Sequence, residues 1–140
     1  MKKLILSNVA EGTHAGNITK VAAGPITQKY LLCKLDGGTG NVSIAGASDQ
    51  PIGVATDEAD ANDFVNIALL GACDTVKMVA SGAVQAGTIV IVDAGGKVRG
   101  LPVASGTYYQ VGVALAGADT NGIVECVSCL PIKHVIAEQN

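Results

Sequence analysis

An internal repeat constrains this sequence more than any other feature. Residues 25–71 align without gaps with residues 84–130, at an offset of 59 positions. The match is strongest between 52–65 and 111–124, where seven of fourteen positions are identical. Two copies are too few for a solenoid, in which at least three repeats must stack. The repeat therefore predicts a single domain built from two similar units.

Both copies show the same succession of short apolar runs and turns. Short apolar and β-branched runs bounded by Gly, Asp, Asn and Pro are typical of strands in small barrels and sandwiches. Asp-Gly clusters at 36–38 and 93–96 predict tight hairpin turns, because glycine adopts positive φ without steric cost. Strands are expected at 30–35, 42–45, 52–55 and 64–70, at 88–92, 97–103 and 110–114, and at 75–80 between the copies. The predicted fold class is all-β, a small β-barrel or sandwich of two similar units that each contain a hairpin.

The residues outside the repeat predict two flanking segments. Residues 1–24 are rich in polar and small residues and have no second copy, so we expect an extended N-terminal arm. Residues 25–132 are expected to form the β domain, and residues 133–140 a fraying C-terminal tail. The polar stretch 55–63 is interpreted as a loop, with one helical turn as the alternative.

Composition excludes several classes of function. The net charge is −3 and aromatic residues make up 3%, so neither phosphate attraction nor base stacking supports a nucleic-acid binder. No apolar run reaches the ~18 residues of a membrane span. The apolar run at the N-terminus stops at Ser7, too early for a signal peptide, so we expect synthesis in the cytoplasm. Charged residues make up only 15%, against about 25% in soluble domains, which predicts a surface partly covered by other protein.

The four cysteines are predicted to act as small buried hydrophobic residues. Cys126 and Cys129 have the C-x-x-C spacing of zinc and redox sites, but the sequence has no second pair, and on a strand the two side chains would point to opposite faces. Each cysteine also falls on an aliphatic residue of the other copy. The matches are Cys33 with Val92, Cys126 with Ile67, Cys129 with Leu70 and Cys73 with Ile132. A metal or redox role for Cys126 and Cys129 is the alternative.

No other group of side chains forms a catalytic or cofactor pattern. His14 and His134 lack the neighbours of a catalytic triad. Gly95-Gly96-Lys97 lacks the spacing of a phosphate-binding loop, and the sequence there predicts a hairpin where such a loop would be followed by a helix. We therefore expect no enzyme activity, no bound metal and no cofactor.

The acidic stretch 57–63 is interpreted as a solvated loop. It lacks the spacing of a calcium-binding loop, and most of its acidic residues are missing from the other copy. Calcium binding by this loop is the alternative. Asp60 and Asn62 are expected to cap the turn through side-chain to backbone hydrogen bonds. Asp119 and Asn121 are expected to do the same in the second copy.

Five stretches of small and β-branched residues follow one another in a characteristic order. They are PIGVA at 51–55, VNIALLG at 65–71, ASGAVQAG at 80–87, GGKV at 95–98 and VGVAL at 111–115. This order resembles that of the head decoration, or capsid cement, proteins of tailed phages. The resemblance implies a β-rich structural virion protein without catalysis, made in the host cytoplasm. It also implies a homotrimer on the exterior of the assembled capsid that binds the major capsid protein and stiffens the shell.

The N-terminal arm is the segment expected to contact the shell. An extended apolar segment can add a strand to the exposed edge of a sheet in a partner. The side chains expected to make this contact are Lys3, Leu4, Ile5, Leu6 and Val9.

A β-barrel assembly or binding module, such as a subunit of a co-chaperonin-like ring, is the alternative function. Residues 86–92 resemble a strand of such barrels. The long mobile loop of those rings is not evident in the sequence, and the repeat would have no explanation.

Overall fold

The computed structural model describes residues 15–72 and 75–138, and these residues confirm the all-β prediction. They form two five-stranded antiparallel sheets. The first sheet contains β1 (Asn17–Val21), β2 (Leu32–Leu35), β3 (Val42–Ile44), β4 (Gly53–Ala55) and β5 (Phe64–Leu69). The second sheet contains β6 (Val76–Val79), β7 (Ile89–Asp93), β8 (Lys97–Gly100), β9 (Gly106–Ala114) and β10 (Ile123–Ile136). No helix in these two ranges is long and apolar enough to span a membrane.

The repeat in the sequence is also a repeat of structure. The strand order is β1-β5-β4-β2-β3 in the first sheet and β6-β10-β9-β7-β8 in the second. Each strand of the first sheet therefore has a counterpart at the same place in the second. Residues 15–72 are called the first unit below, and residues 75–138 the second unit.

Each sheet closes on itself through a short parallel bridge between its two edge strands. Ala22 bridges Val42 in the first unit, and the N–H of Ala23 donates to the Val42 carbonyl at 2.7 Å. Ala80 bridges Val98 in the second unit, where the N–H of Ser81 donates to the Val98 carbonyl at the same distance. Each unit is therefore a small, nearly closed barrel of five strands.

Matching sets of small side chains fill the interiors of the two barrels. The first barrel encloses Ala22, Ile26, Cys33, Val42, Ala55, Val65 and Ile67. The counterparts in the second barrel are Ala80, Val84, Val90, Val98, Ala114, Val124 and Cys126. All fourteen are buried, so the apolar positions of the repeat are interior positions of two barrels.

The N-terminal boundary of the β domain lies earlier than the sequence predicted. Residues 17–21, assigned to the arm, form β1 and pair with β5 throughout. Their copy was overlooked because it lies at an offset of 58 rather than 59, where Val21-Ala22-Ala23-Gly24 matches Val79-Ala80-Ser81-Gly82. The offset changes again to 57 at β2, to 56 at β3 and to 59 at β4, so loops of unequal length separate this match from the stronger one downstream. Residues 1–14 lie outside the described residues.

The gapless alignment is also wrong in the first hairpin. Leu32 pairs with Val54 as Ile89 pairs with Val113, so β2 matches β7 at an offset of 57. The counterpart of Cys33 is therefore Val90 rather than Val92, which leaves the prediction of an aliphatic counterpart unchanged. The hairpin turns end at Gly40 and Gly96, which share positive φ values of 75° and 74°.

The C-terminal boundary is later than predicted, because β10 continues to Ile136 through most of the expected tail. Its last part pairs with the beginning of β9, from Ile132 opposite Gln110 to Ile136 opposite Gly106. The register shifts between Ser128 and Ile132, and this irregularity accommodates Pro131. The first unit has no equivalent of this two-stranded extension, which is called the ribbon below (residues 106–110 and 132–136).

The loop at 57–63 contains no helix, as the main interpretation predicted, but backbone groups rather than side-chain caps hold its turn. Asn62 and Asn121 adopt positive φ values of 72° and 65°. Their N–H groups donate to the carbonyls of Ala22 and Ala80, both at 2.7 Å. Asparagine tolerates this conformation better than most residues, which explains its presence in both copies.

The two units pack through unlike surfaces. The outer face of the first sheet, formed by Leu32, Ala45, Val54, Ala68 and Leu70, belongs to the same core cluster as the interior of the second barrel. This face covers the end of the second barrel that lies beside the β7–β8 turn. That end is called the turn end below, and its residues are Val76, Met78, Val92 and Gly96. Gly96 approaches so closely that a Cβ there would lie 2.8 Å from the Leu32 carbonyl oxygen. At the rim of the contact, the Lys77 ammonium lies 5.7 Å from the centre of the Tyr30 ring.

Gly53 and Gly112 are sister positions at which we expect any side chain to destabilise the fold. A Cβ on Gly53 would lie 2.5 Å from the Ala68 carbonyl oxygen and would also overlap the Ile67 side chain. A Cβ on Gly112 would overlap the Val127 carbonyl oxygen. Gly53→Ala and Gly112→Ala should each lower the free energy of unfolding by about 1–3 kcal/mol, the usual cost of overpacking. Urea denaturation measures this change.

Gly82→Ala is the matched control, because no atom lies within 4 Å of the position of its Cβ. Its free energy of unfolding should stay within about 0.5 kcal/mol of the wild-type value. A Gly53→Ala variant as stable as this control would contradict the packing described for β4 and β5.

Candidate functional surfaces

The side chains predicted to contact a shell, Lys3, Leu4, Ile5, Leu6 and Val9, lie outside the described residues. Their contact therefore stays a prediction. They precede β1, an edge strand of the first sheet. Asn17, the first residue of β1, is exposed and accepts a hydrogen bond from the side-chain amide of Asn66 at 3.1 Å.

The described cysteines occupy separate environments. Cys33 and Cys126 lie in the interiors of the first and second barrels, and neither is exposed. Cys129 is partly exposed, with its Sγ 3.9 Å from the Gln110 carbonyl oxygen. No group of three or more His, Cys, Asp or Glu side chains within residues 15–72 and 75–138 is arranged to hold a metal ion. Cys73 lies outside these ranges.

Burial makes these thiols poor nucleophiles. It raises the pKa of Cys33 to about 11. It raises the pKa of Cys126 to about 12, with a further contribution from the negative charge of Glu125. Burial also raises the pKa of Cys129. Because the thiolate is the form that attacks substrates and binds metals, the three thiols are poorly suited to either role near neutral pH.

The acidic stretch 57–63 is a solvated surface. Its four acidic side chains are exposed. Glu58, Asp60 and Asp63 line a shallow groove together with Phe64, which is 76% exposed. This groove combines negative charge with one large apolar side chain and places no polar group in a buried position.

The other polar residues singled out in the sequence have structural partners. The Lys97 ammonium, on the hairpin after Gly96, donates to the side-chain oxygen of Asn121 at 2.8 Å. The Nε2 of His134 lies 2.7 Å from the side-chain oxygen of Gln110 and helps to join the two strands of the ribbon. His14 lies outside the described residues.

Exposed apolar side chains are concentrated on the second unit. Val127 and Ile123, on one face of β10, are 47% and 46% exposed. Leu130, Ile132 and Val135, in and beside the ribbon, are 68%, 48% and 68% exposed. The ribbon was not predicted, because residues 133–140 were expected to form a fraying tail. The apolar residues at 132, 135 and 136 were the available signal for its continuation.

Comparison with known proteins agrees with this architecture. The family model of phage cement proteins matches residues 9–128 of the chain. Among solved structures, the N base of the head fiber protein gp8.5 of bacteriophage phi29 is similar, with a TM-score of 0.64 and 17% sequence identity. That match covers 84% of this chain and 98% of the phi29 chain, and at this identity it shows a shared fold. The search of curated proteins returned no match.

The raised thiol pKa values predict a specific loss of stability at alkaline pH. The folded chain holds the proton of Cys33 up to about pH 11, whereas an unperturbed thiol loses it near 9.0. The thiol contribution to stability is therefore complete below pH 9.0 and is lost as the pH rises towards 11. The double variant Cys33→Val/Cys126→Val should lose less stability than wild type between neutral pH and pH ~10. Urea denaturation at both pH values provides the comparison.

Cys129→Val is the control, because its partly exposed thiol should contribute less to the alkaline loss. The same alkaline loss in the double variant and in wild type would show that the two buried thiols do not carry the effect.

Proposed function

Because the chain belongs to the phage cement protein family, we propose that it binds the outer surface of an assembled phage capsid and stabilises the shell. The chain is a structural, capsid-associated phage protein. The family model matches residues 9–128, which include the whole first unit and most of the second. This match is the observation that carries the proposal.

Stabilisation follows from selective binding to the assembled state. A protein that binds the assembled lattice but not the free shell subunit shifts the assembly equilibrium by mass action. Each contact can be of ordinary size, because the same contact repeats over the shell. A copy that bridges two neighbouring shell subunits gains further from the high effective concentration of its second contact.

The surface of the second unit supports protein binding rather than catalysis. Only 15% of the residues are charged, and exposed apolar side chains lie together on β10. The proposed activity needs no catalytic residue, metal or cofactor. The proposed partners are the major capsid protein and further copies of this chain, as a homotrimer.

The N-terminal segment is the proposed shell contact. The residues proposed to make the contact are Lys3, Leu4, Ile5, Leu6 and Val9, and four of these five are apolar. Such an apolar segment can pair with an exposed sheet edge of a shell subunit. The segment precedes β1, so a strand captured by the shell would continue directly into the first barrel.

The binding proposal predicts saturable association with assembled shells. Shells incubated with the chain should retain it in sedimentation, should bind it to a fixed ratio and should resist heat better than bare shells. Unassembled shell subunits are the control and should bind little. Shells that neither bind the chain nor gain heat resistance would contradict the proposal.

Deletion of residues 1–14 should weaken shell binding at least tenfold while leaving the fold intact, because β1 begins at Asn17. A tenfold loss corresponds to about 1.4 kcal/mol. The matched control replaces residues 3–9 by a Gly-Ser segment of equal length, which should weaken binding in the same way. Unchanged binding by the deletion variant would exclude the N-terminal segment as the contact and would direct attention to the ribbon.

A further inference from the structure

Among residues 15–72 and 75–138, the contact between the two units uses one outer sheet face and one turn end, and it leaves the other outer face and the other turn end uncovered. Within the chain, the outer face of the first sheet covers the turn end of the second barrel. Because the units repeat one another, the second sheet also has an outer face and the first barrel also has a turn end. A single contact between an outer face and a turn end covers only one of the two outer faces and only one of the two turn ends.

The outer face of the second sheet is more exposed than its counterpart. Register and hydrogen bonding match Leu32, Ala45, Val54, Ala68 and Leu70 of the first sheet with Ile89, Leu101, Val113, Val127 and Cys129 of the second. The five residues of the first face are between 0% and 6% exposed. On the second face Val127 is 47% exposed, and the other four residues are partly exposed. This face therefore has the same apolar chemistry without the cover.

The turn end of the first barrel is also less covered than its counterpart. It consists of Ile18, Lys20, Leu35 and Gly40, which match Val76, Met78, Val92 and Gly96. Leu35 is 41% exposed, whereas Val92 is 1% exposed. Gly40 is partly exposed, whereas Gly96 is buried against the backbone of Leu32.

We propose that the outer face of the second sheet binds the turn end of the first barrel in a second copy of this chain. The contact repeats between chains the one that already joins the two units within a chain. Each chain offers one surface of each kind, so copies join head to tail. Contacts of this type close into rings when the rotation between successive units permits it.

One difference in sequence between the two units distinguishes the uncovered turn end from the covered one. Lys20 takes the place of Met78, which is fully buried in the intrachain contact. A lysine can bury its aliphatic stem and keep its ammonium at the rim. The exposed Glu125 on the outer side of β10 offers a carboxylate of opposite charge on the proposed partner surface. The contact between chains is thus expected to be less apolar than the contact within a chain.

This inference specifies the surface behind the self-association named in the proposed function, and it does not depend on shell binding. The test uses the free, full-length chain and light scattering coupled to size-exclusion chromatography. Val127→Asp damages only the outer face of the second sheet, and Leu35→Asp damages only the turn end of the first barrel. Val135→Asp, on the same strand as Val127 but in the ribbon and 68% exposed, is the matched control.

Wild type and Val135→Asp should form one discrete oligomer, and each of the other two variants alone should be monomeric. An equimolar mixture of Val127→Asp and Leu35→Asp should form a dimer with one copy of each, because one intact surface of each kind remains. If an aspartate variant loses the circular dichroism of the native sheets, Val127→Thr and Leu35→Thr replace the pair.

Three results would overturn the inference, and each has a different meaning. A monomeric wild type would remove self-association itself. An oligomeric wild type whose two variants stay oligomeric would place the interface elsewhere. Monomeric variants that fail to pair in the mixture would exclude a head-to-tail contact. None of these results bears on shell binding, which the sedimentation assay measures separately.

Discussion

Closure of a sheet of only five strands limits the size of every side chain inside it. Even barrels of eight strands have just enough room for their interior side chains, so a five-stranded barrel accepts little beyond Ala, Val, Ile and Cys. The bridges from Ala22 to Val42 and from Ala80 to Val98 are possible because these residues are small. Phe64, the one Phe of the chain, is accordingly exposed and not part of a barrel interior. Cysteine fits this setting as a small apolar side chain with a strongly raised pKa.

The duplication solves a problem of size that one barrel alone would face. Each unit has about 60 residues, a length at which a single core supplies little net stability. Packing the outer face of the first sheet over the turn end of the second barrel joins both units into one larger core. The second unit has diverged where the first is covered, with larger or more exposed apolar residues on its outer face and a ribbon beyond it. The surfaces available for binding are therefore mainly those of the second unit and the turn end of the first.

Sequence analysis predicted the fold class and nearly every strand because the repeat shows each apolar run twice. It misplaced both domain boundaries for identifiable reasons. Loops of unequal length, which change the offset between the copies at β2, β3 and β4, hid the copy of β1. The continuation of β10 lies outside the aligned copies, so no second copy indicated it. The predicted contact residues at 3–9 rest on their apolar pattern alone, without a second copy for comparison. The exposed outer face of the second sheet could not be predicted, because its residues resemble those of the buried face of the first. Only the packing of the units shows which face is covered.

The protein composition of purified phage particles tests the central claim most directly. Gel analysis and quantitative mass spectrometry would give the copy number of this chain relative to the major capsid protein. The account predicts hundreds of copies per particle, in a fixed ratio to the major capsid protein. Absence of the chain from particles, despite abundant synthesis in infected cells, would contradict a role on the capsid.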